Sequence, residues 1–313
     1  MSYDLIGDIH GHSKPLNELL VKLGYRISDS VYRHPSRQVI FLGDFIDRGP
    51  EQREVIDIVR PMIEAGSALS VMGNHEFNAI AYFTEDPDRP GHYLREHSDK
   101  NRHQHKMFLD AYKGADDYPE LIKWFQSLPL WLELPGLRVV HACWDRVSLE
   151  LLAARSAGTV QYLDYDLLVS ASRNGGAEFR AVETLLKGKE VEMPNGQTFP
   201  DKDGNPRHHI RVKWWDAYAR NYRAAFLGPD SALSHIPETP IDVDHLVEYS
   251  SDEPPVFFGH YWMETDPKLL APNVACLDYS VAARNGGKLL AYRWDGEQTL
   301  SEESFVYVAR AQG

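Results

Sequence analysis

Three short segments of the sequence combine glycine with residue types that bind metal ions. They are Gly7-Asp8-Ile9-His10-Gly11, Gly43-Asp44-Phe45-Ile46-Asp47-Arg48-Gly49 and Gly73-Asn74-His75-Glu76. Carboxylate and amide oxygens mixed with imidazole, without any thiolate, suit Mn²⁺, Fe or Zn²⁺ better than Ca²⁺. The sequence therefore contains the parts of a candidate metal site.

Apolar runs that are typical of buried strands precede these segments. Residues 3–6, 38–42 and 68–72 are each stopped by a glycine, and helical spacing of apolar residues over 14–23 and 51–64 predicts helices between them. The alternation predicts a sheet with helices packed over it. Because loops at the carboxyl ends of strands in such a sheet line one crevice, we expect the three segments to converge.

Two later apolar runs, 137–141 and 255–260, each end in a histidine and complete the set of candidate ligands. Taken singly, an Asp after a strand is often a helix cap and a buried His is often structural. The joint pattern favours a metal site over these alternatives. The six candidate ligands are Asp8, His10, Asp44, Asn74, His141 and His260.

The remaining sequence gives weaker signals. Residues 77–128 are predicted to be mainly helical, and 273–279 and 288–294 flank Asn285-Gly286-Gly287, which predicts a hairpin. The stretch 201–205 resembles the start of a calcium loop but lacks the downstream acidic ligand, so we expect a tight turn. The helical stretch has histidines that interleave with Lys and Arg, which favours a solvated helix or lid over a metal site. They are His92, His97, His103 and His105.

The composition restricts the class of function. The chain has 33 Lys and Arg against 46 Asp and Glu, a formal net charge of −13, which counts against nucleic-acid partners. A hydrophobic fraction of 43% is typical of a globular enzyme. No run approaches the roughly 20 apolar residues of a membrane span, so we expect a soluble, cytoplasmic protein without a membrane partner. Cys143 and Cys276 lie in apolar runs and are expected to be reduced and buried.

The motifs GDIHG, GDFIDRGP and GNHE, followed by two strand-terminal histidines, resemble those of the calcineurin-like metallophosphoesterases. Within that superfamily they resemble the PPP-type branch, which holds Ser/Thr protein phosphatases and bacterial symmetrical diadenosine tetraphosphatases. The resemblance runs from Asp8 to about Trp294. It implies an α/β (α+β) fold, a four-layer β-sandwich flanked by helices. We expect one catalytic domain over 1–313, with a less regular substrate-selecting insert around 150–250.

The resemblance also assigns the ligands to two divalent metal ions. Asp8 and His10 would bind one ion, and Asp44 would bridge both. The other ion would be bound by Asn74, His141 and His260. We expect Mn²⁺, with Fe or Zn²⁺ as alternatives. Two such ions would share the hydroxide that attacks phosphorus.

Three further residues take catalytic roles by the same resemblance. His75 would protonate the leaving oxygen, and Asp47 would orient the imidazole of His75. Arg48 would hold two phosphoryl oxygens with its planar fork. The alternative for Asp47 and Arg48 is a plain ion pair on a loop. Glu76 is expected to be structural and to tie down its own loop.

A second phosphate-binding arginine is expected between His141 and His260. The candidates are Arg173, Arg180, Arg207 and Arg211, of which Arg211 is preferred. Aromatic side chains of the same region could stack on an adenine or pack in the core. They are Tyr162, Tyr165, Trp214 and Trp215.

The favoured function is hydrolysis of a phosphomonoester on a phosphorylated protein or small molecule. The alternative is symmetrical hydrolysis of a dinucleoside polyphosphate, because Ala142 after His141 and the run 258–262 resemble the diadenosine tetraphosphatases. A non-catalytic binding protein on the same scaffold is disfavoured, because the set of candidate ligands is complete.

Overall fold

The computed structural model describes residues 1–155, 162–200, 205–216, 218–228, 230–241, 247, 249–283 and 286–310. The strands are β1 (Ser2–Ile6), β2 (Arg26–Ser28), β3 (Val31–Arg33), β4 (Arg37–Phe41), β5 (Ala68–Ser70), β6 (Trp131–Leu134), β7 (Leu137–Val140), β8 (Glu190–Glu192), β9 (Phe199–Pro200), β10 (Pro206–Arg207), β11 (His209–Arg211), β12 (Val256–Phe258), β13 (Val274–Cys276), β14 (Asp278–Tyr279), β15 (Lys288–Trp294) and β16 (Phe305–Ala309). The α-helices are α1 (Ser13–Leu23), α2 (Gln52–Glu64), α3 (Asn74–Phe83), α4 (Asp99–Gln104), α5 (Lys106–Tyr112), α6 (Tyr118–Gln126), α7 (Arg146–Ala153), α8 (Tyr165–Ala171), α9 (Ala177–Lys187) and α10 (Tyr222–Ala225).

The larger sheet has the strand–loop–helix units on one side, with β5 as its edge strand. Strands β1, β4 and β5 run parallel in that order, and α1 and α2 lie between them in the chain, which confirms the predicted arrangement. Strand β15 is antiparallel to β1 and also pairs with β14 and β16. Parallel neighbours bring the loops after β1, β4 and β5 to one edge of this sheet.

The second sheet packs face to face on the first. It contains β13, β12, β7 and β6 in that order, with β7, β12 and β13 parallel. Leu5, Ile40 and Tyr292 of the larger sheet share one buried cluster with Val139 and Phe257 of the smaller sheet. Successive side chains of a strand point to opposite faces, so the neighbours of these residues face away from the other sheet.

Helices cover both outer faces of the sandwich. Ile6 and Phe41 of the larger sheet lie in an apolar cluster with residues of α1 and α2. The same cluster contains Phe258 of the smaller sheet together with Leu149 of α7 and Leu185 of α9. The expected four-layer β-sandwich flanked by helices is therefore confirmed.

The structure refines several predicted elements. The run 273–279 is not one strand: β13 belongs to the smaller sheet and β14 to the larger one, with Leu277 between them. Tyr279 pairs with Lys288, which confirms the hairpin, although Asn285 lies outside the described residues. The stretch 84–98 contains no helix, so the helical prediction for 77–128 was wrong there.

The region expected to be a substrate-selecting insert contains short paired strands. Strands β8 and β11 form one pair and β9 and β10 another, around a separate apolar cluster that includes Val191 and Ile210. Residues 201–204 of the turn predicted at 201–205 lie outside the described residues. The assignment of the whole chain to one domain stays a prediction.

Two further expectations concern cysteines and membranes. Both cysteines, Cys143 and Cys276, are free and buried, as expected. Within the described ranges, no helix combines the length and the apolar character needed to cross a membrane.

Candidate metal and phosphate site

The predicted ligands meet at one end of the sandwich, where strands of both sheets terminate. Asp8 follows β1, Asp44 follows β4, and Asn74 begins α3 after β5. His141 and His260 follow β7 and β12 of the other sheet. Backbone contacts help to join the two groups: the Nδ1 of His141 donates to the carbonyl of Leu42 over 2.7 Å, and the amide of His260 donates to Oδ2 of Asp8 over 3.1 Å.

Four donor atoms form the half of the site near Asn74. The Nε2 atom of His141 lies 3.4 Å from Oδ2 of Asp44 and 3.2 Å from Oδ1 of Asn74. The Nδ1 atom of His260 lies 2.8 Å from the same Asn74 oxygen. Atoms bound to one ion at about 2.1 Å are separated by roughly 3 Å, so these distances suit a shared cation.

The other half of the site surrounds His10. Its Nε2 atom lies 3.6 Å from Oδ2 of Asp44 and 4.0 Å from Oδ2 of Asp8. All three side chains are buried. The same oxygen of Asp44 faces both halves, which is the position that the resemblance predicts for a bridging ligand.

Unsatisfied polar atoms test whether the residues fit metal ions. In the described part of the chain, Oδ1 of Asp8 and Nε2 of His10 are buried without a hydrogen-bond partner. Leaving such atoms unpaired costs about 1–3 kcal/mol each, which a bound cation would offset. The donor set of carboxylates, one amide and neutral imidazoles therefore fits two divalent ions.

Backbone carbonyls fix the tautomer of two imidazoles. The Nδ1 of His10 donates to the carbonyl of Ile46 over 3.0 Å, and that of His141 donates to Leu42. A neutral imidazole has one N–H group, so its Nε2 then presents a lone pair toward Asp44. This orientation prepares both rings for metal binding.

Buried charges determine the electrostatics of the site. Burial raises the pKa of Asp44, but His141 and His75 outweigh burial and hold that pKa well below its usual range. Burial lowers the pKa of His141, but Asp44 outweighs burial and raises it to about 10. Burial lowers the pKa of His10 to about 3. A cation near Asp44 would replace the proton on His141, because imidazole binds metal in its neutral form.

Backbone strain is concentrated at this site. Non-glycine residues rarely adopt positive φ, and where they do the cost is about 1–3 kcal/mol each. The site residues with positive φ are His10 (47°), Asp44 (52°), Asp47 (67°), Arg48 (66°), His260 (71°) and Trp262 (51°). The surrounding packing holds these residues in these conformations.

Two glycines and one glutamate allow the loops that carry the candidate ligands to approach each other closely. A Cβ at Gly259 would lie 2.0 Å from Oδ1 of Asp8, and one at Gly73 would lie 2.2 Å from Oδ1 of Asp44. The buried carboxylate of Glu76 accepts from the amides of Asp44 (2.8 Å), Phe45 (2.9 Å) and Gly73 (3.0 Å). Glu76 therefore ties down its own loop, and it also joins that loop to the Asp44 loop.

The predicted acid pair lies beside the ligands. The Nδ1 of His75 lies 2.5 Å from Oδ2 of Asp47, and its Nε2 lies 3.9 Å from Oδ2 of Asp44. By distance alone, His75 also groups with His10 and Asp44 as a set of ligand atoms. One oxygen of Asp8 is buried and unpaired whereas His75 already pairs with Asp47, which favours Asp8 over His75 as a candidate ligand.

The sequence interpretation of the His-rich stretch was wrong for two of its members. His105 is buried, and its Nδ1 lies 2.8 Å from Oδ1 of Asp47. The ring of His97 stacks on Tyr82, with ring centroids 3.8 Å apart, and its Nε2 donates to the carbonyl of Tyr82. Neither side chain belongs to a solvated helix face. Nothing in the local sequence distinguishes His105 from its exposed neighbours.

Arg48 has an aromatic platform. Its guanidinium carbon lies 4.2 Å from the ring centroid of Trp262. The amide of Trp262 in turn donates to the buried carboxylate of Asp278 over 2.8 Å. Stacking on an aromatic ring limits the motion of a guanidinium while leaving its N–H groups free to bind an anion.

The preferred second arginine lies near the ligands. The guanidinium of Arg211 lies 5.8 Å from the ring centroid of Tyr261. Burial lowers the pKa of His260 well below its usual range, and the positive charge of Arg211 adds to this effect. Arg173 pairs instead with Asp86, and Arg180 donates to a backbone carbonyl. Of the aromatic candidates, Trp214 and Trp215 are buried in the core, whereas Tyr162 and Tyr165 are each 53% exposed.

Comparison with known proteins identifies the family. A layered sandwich with carboxylates and imidazoles at its strand ends defines the metallophosphoesterase class, and a family model of calcineurin-like phosphoesterases matches residues 1–261. The chain belongs to this family of phosphoric ester hydrolases, which confirms the resemblance seen in the motifs.

Two curated relatives are named as tetraphosphatases. An asymmetrical bis(5'-nucleosyl)-tetraphosphatase of Oceanobacillus iheyensis is 33% identical over 143 residues, covering 45% of this chain and 55% of the relative. A symmetrical bis(5'-nucleosyl)-tetraphosphatase of Proteus mirabilis is 24% identical over 323 residues, covering 98% of this chain and 100% of the relative. The match to the relative from Oceanobacillus iheyensis thus spans only about half of that relative's length.

A solved structure shares the fold. A protein serine/threonine phosphatase from Saccharomyces cerevisiae superposes with a TM-score of 0.51 at 15% identity, covering 99% of this chain and 79% of that one. This likeness concerns the fold alone.

Proposed function

We propose that this chain hydrolyses dinucleoside polyphosphates with two divalent metal ions, Mn²⁺ first among the candidates. The observation that carries the proposal is that Asp44 lies between two groups of donor atoms, with the His75–Asp47 pair beside them. The residues proposed to hold the ions are Asp8, His10, Asp44, Asn74, His141 and His260.

The substrate class is supported by the relatives rather than by the geometry. The named relatives from Oceanobacillus iheyensis and Proteus mirabilis are both bis(5'-nucleosyl)-tetraphosphatases. Hydrolysis of a phosphomonoester, which the sequence favoured, has only the fold likeness to a serine/threonine phosphatase on its side. The dinucleoside polyphosphate is therefore the better supported substrate.

The chain's own groups bind the substrate and supply the proton. When bound, the two ions lower the pKa of water and neutralise phosphoryl oxygens. The water oxygen bonds to phosphorus, its proton leaves to solvent, and the bond from phosphorus to the bridging oxygen breaks. Nε2 of His75 donates a proton to that leaving oxygen, while Asp47 holds Nδ1. Arg48, stacked on Trp262, binds the non-bridging oxygens, with Arg211 as the proposed second arginine.

The test uses the full chain with Mn²⁺ and diadenosine tetraphosphate, and chromatography separates the products. Two molecules of ADP indicate symmetrical cleavage, whereas ATP plus AMP indicate asymmetrical cleavage. Asp44→Asn is expected to lower kcat/KM by more than about 100-fold, since residues that merely support ligands already contribute about 10–100-fold. Asp99→Asn, at a fully exposed position of α4, is the control.

Two outcomes contradict the proposal. Equal activity of the wild type and Asp44→Asn would exclude this metal site. Hydrolysis of an aryl phosphate but not of diadenosine tetraphosphate would exclude the substrate class and restore the phosphomonoester as substrate.

A further inference from the structure

A cavity of about 880 Å³ lies directly beside the proposed acid. Its lining includes Asp47, Arg48, Asn74 and His75, so the cavity is continuous with the site described above. Sites that hold small-molecule ligands have volumes of roughly 300–1,000 Å³. The cavity is therefore large enough for much more of a substrate than one phosphoryl group.

The other cations of the lining come from separate parts of the fold. Lys187 ends α9, Lys106 begins α5, and Arg95 lies in the stretch before α4. Among the described residues that line the cavity, Asp47 is the only acid, and its oxygens already pair with His75 and His105. In a chain with a net charge of −13, this cavity is locally positive.

Arg95 has an unbalanced charge in this cavity. Its Nη2 donates to Oε1 of Gln104 over 3.1 Å, and no ion pair links it to a carboxylate in the part of the chain that the structure describes. Burial lowers the pKa of Arg95, and Asp47 and Glu183 only partly oppose this effect. Burying a cation without a counter-ion is unfavourable unless a bound anion supplies the missing charge.

Apart from Arg48, which lies at the proposed metal site, the other two cations of the lining are already paired. Lys187 forms an ion pair with Glu183 of its own helix, and Lys106 forms one with Asp110. Arg95 is therefore the side chain of this group whose charge and fork geometry remain available for an incoming anion. A guanidinium can bind two oxygens of one phosphate, or one oxygen from each of two neighbouring phosphates.

We propose that Arg95 binds the phosphates of the leaving portion of a polyphosphate chain, next to the phosphorus that is attacked at the metal site. His75 faces the same cavity and protonates the leaving oxygen, so the leaving portion lies on this side. This inference rests on the proposed function and deepens it, because Arg95 selects a phosphoanhydride chain over a monoester.

The experiment compares the wild type, Arg95→Gln and Arg95→Lys as full chains with Mn²⁺. The ratio of kcat/KM for diadenosine tetraphosphate to kcat/KM for an aryl phosphate is expected to fall about tenfold in Arg95→Gln. Arg95→Lys keeps the positive charge but not the planar fork, so its ratio is expected to lie between those of the wild type and Arg95→Gln. Arg102→Gln, exposed on α4 and paired with Asp99, is the matched control and keeps the wild-type ratio.

Binding of inorganic tripolyphosphate, measured by calorimetry at a fixed excess of Mn²⁺, is the second readout. Arg95→Gln is expected to weaken this binding about tenfold. Comparable affinity for tripolyphosphate and diadenosine tetraphosphate would mean that the protein recognises the phosphates. Much weaker binding of tripolyphosphate would mean that it recognises the nucleosides, which would count against a phosphate-binding role for Arg95. Thermal unfolding establishes that each variant is folded, and Arg95→Lys, expected to act in the same direction, replaces Arg95→Gln if that variant is not folded.

The outcomes separate this inference from the proposed function. If the wild type cleaves diadenosine tetraphosphate and Arg95→Gln keeps the wild-type ratio, the inference is overturned while the function stands. If the wild type does not cleave diadenosine tetraphosphate, the proposed function fails, and the binding of tripolyphosphate then tests the inference about Arg95. Binding that weakens in Arg95→Gln then supports the inference, and unchanged binding overturns it.

Discussion

His105 donates its Nδ1 hydrogen to Oδ1 of Asp47 over 2.8 Å, although 58 residues separate the two in the chain. The other oxygen of Asp47 pairs with His75. Burial raises the pKa of Asp47, but the hydrogen bonds from His105 and His75 outweigh burial and lower it. A carboxylate held from two sides in this way can move little, and the imidazole of His75 is oriented with it.

His105 is therefore expected to be a positioning residue for proton donation. His105→Phe removes the donor, so kcat should fall about tenfold with little change in KM, whereas His105→Gln, which keeps an N–H donor, should restore part of the loss. The loss in kcat should be smaller with a dinitrophenyl phosphate than with diadenosine tetraphosphate, because the dinitrophenolate leaving group needs no proton. His92→Phe, at an exposed position, is the control. An equal loss with both kinds of leaving group would assign His105 a purely structural role.

Gly259 is expected to be necessary for metal binding. Gly259→Ala places a methyl group 2.0 Å from Oδ1 of Asp8, so the carboxylate must move and one ion should be lost. Elemental analysis of the purified variant should show less than two equivalents of metal. Gly176→Ala is the matched control, because its nearest neighbour would be 3.8 Å away. Full metal content in Gly259→Ala would contradict this reading of the loop.

Metal is expected to stabilise the fold. Buried carboxylates are clustered at the site. Burial raises the pKa of Asp8 well above its usual range, and the negative charge of Asp278 adds to this effect. Mn²⁺ at 100 times its Kd should therefore increase the free energy of unfolding by about 2.7 kcal/mol and raise the Tm. Calorimetry with and without a chelator measures the shift, and the same chelator should have little effect on Asp44→Asn. An unchanged Tm in the wild type would exclude tight metal binding.

Glu253 is expected to contribute stability that depends on pH. Arg138 and Arg146 pair with Glu253, and Arg138, the larger cause, helps to hold the pKa of Glu253 below its usual range. A carboxylate with a depressed pKa stabilises the fold above its unfolded pKa of about 4.3, and the contribution disappears as the pH falls through the folded pKa.

Glu253→Gln should accordingly lower the free energy of unfolding by about 1 kcal/mol at pH 7. The difference from the wild type should shrink as the pH falls below about 4.3 and vanish once the pH is below the folded pKa of Glu253. Urea denaturation over this pH range measures the difference. Glu303→Gln, on the exposed turn before β16, is the control. A difference that does not change with pH would mean that Glu253 acts through packing rather than charge.

The sequence by itself determined the strand-terminal positions of the candidate ligands. An apolar run that ends in glycine has to stop a buried strand there, so Asp8, Asp44 and Asn74 could be placed at strand ends without coordinates. The parallel order of β1, β4 and β5 then follows from the helices between them. The local pattern was sufficient because each ligand is within a few residues of the strand that positions it.

Only the tertiary structure decided the contacts around those ligands. Arg48 stacks on Trp262, Asp47 pairs with His105, and Arg95 lines the cavity beside His75, although each pair is far apart in the chain. Such contacts depend on how two sheets and their covering helices pack, and no periodicity in the sequence encodes them. The buried His105 and the exposed His92 have similar neighbours in the sequence, and packing alone distinguishes them.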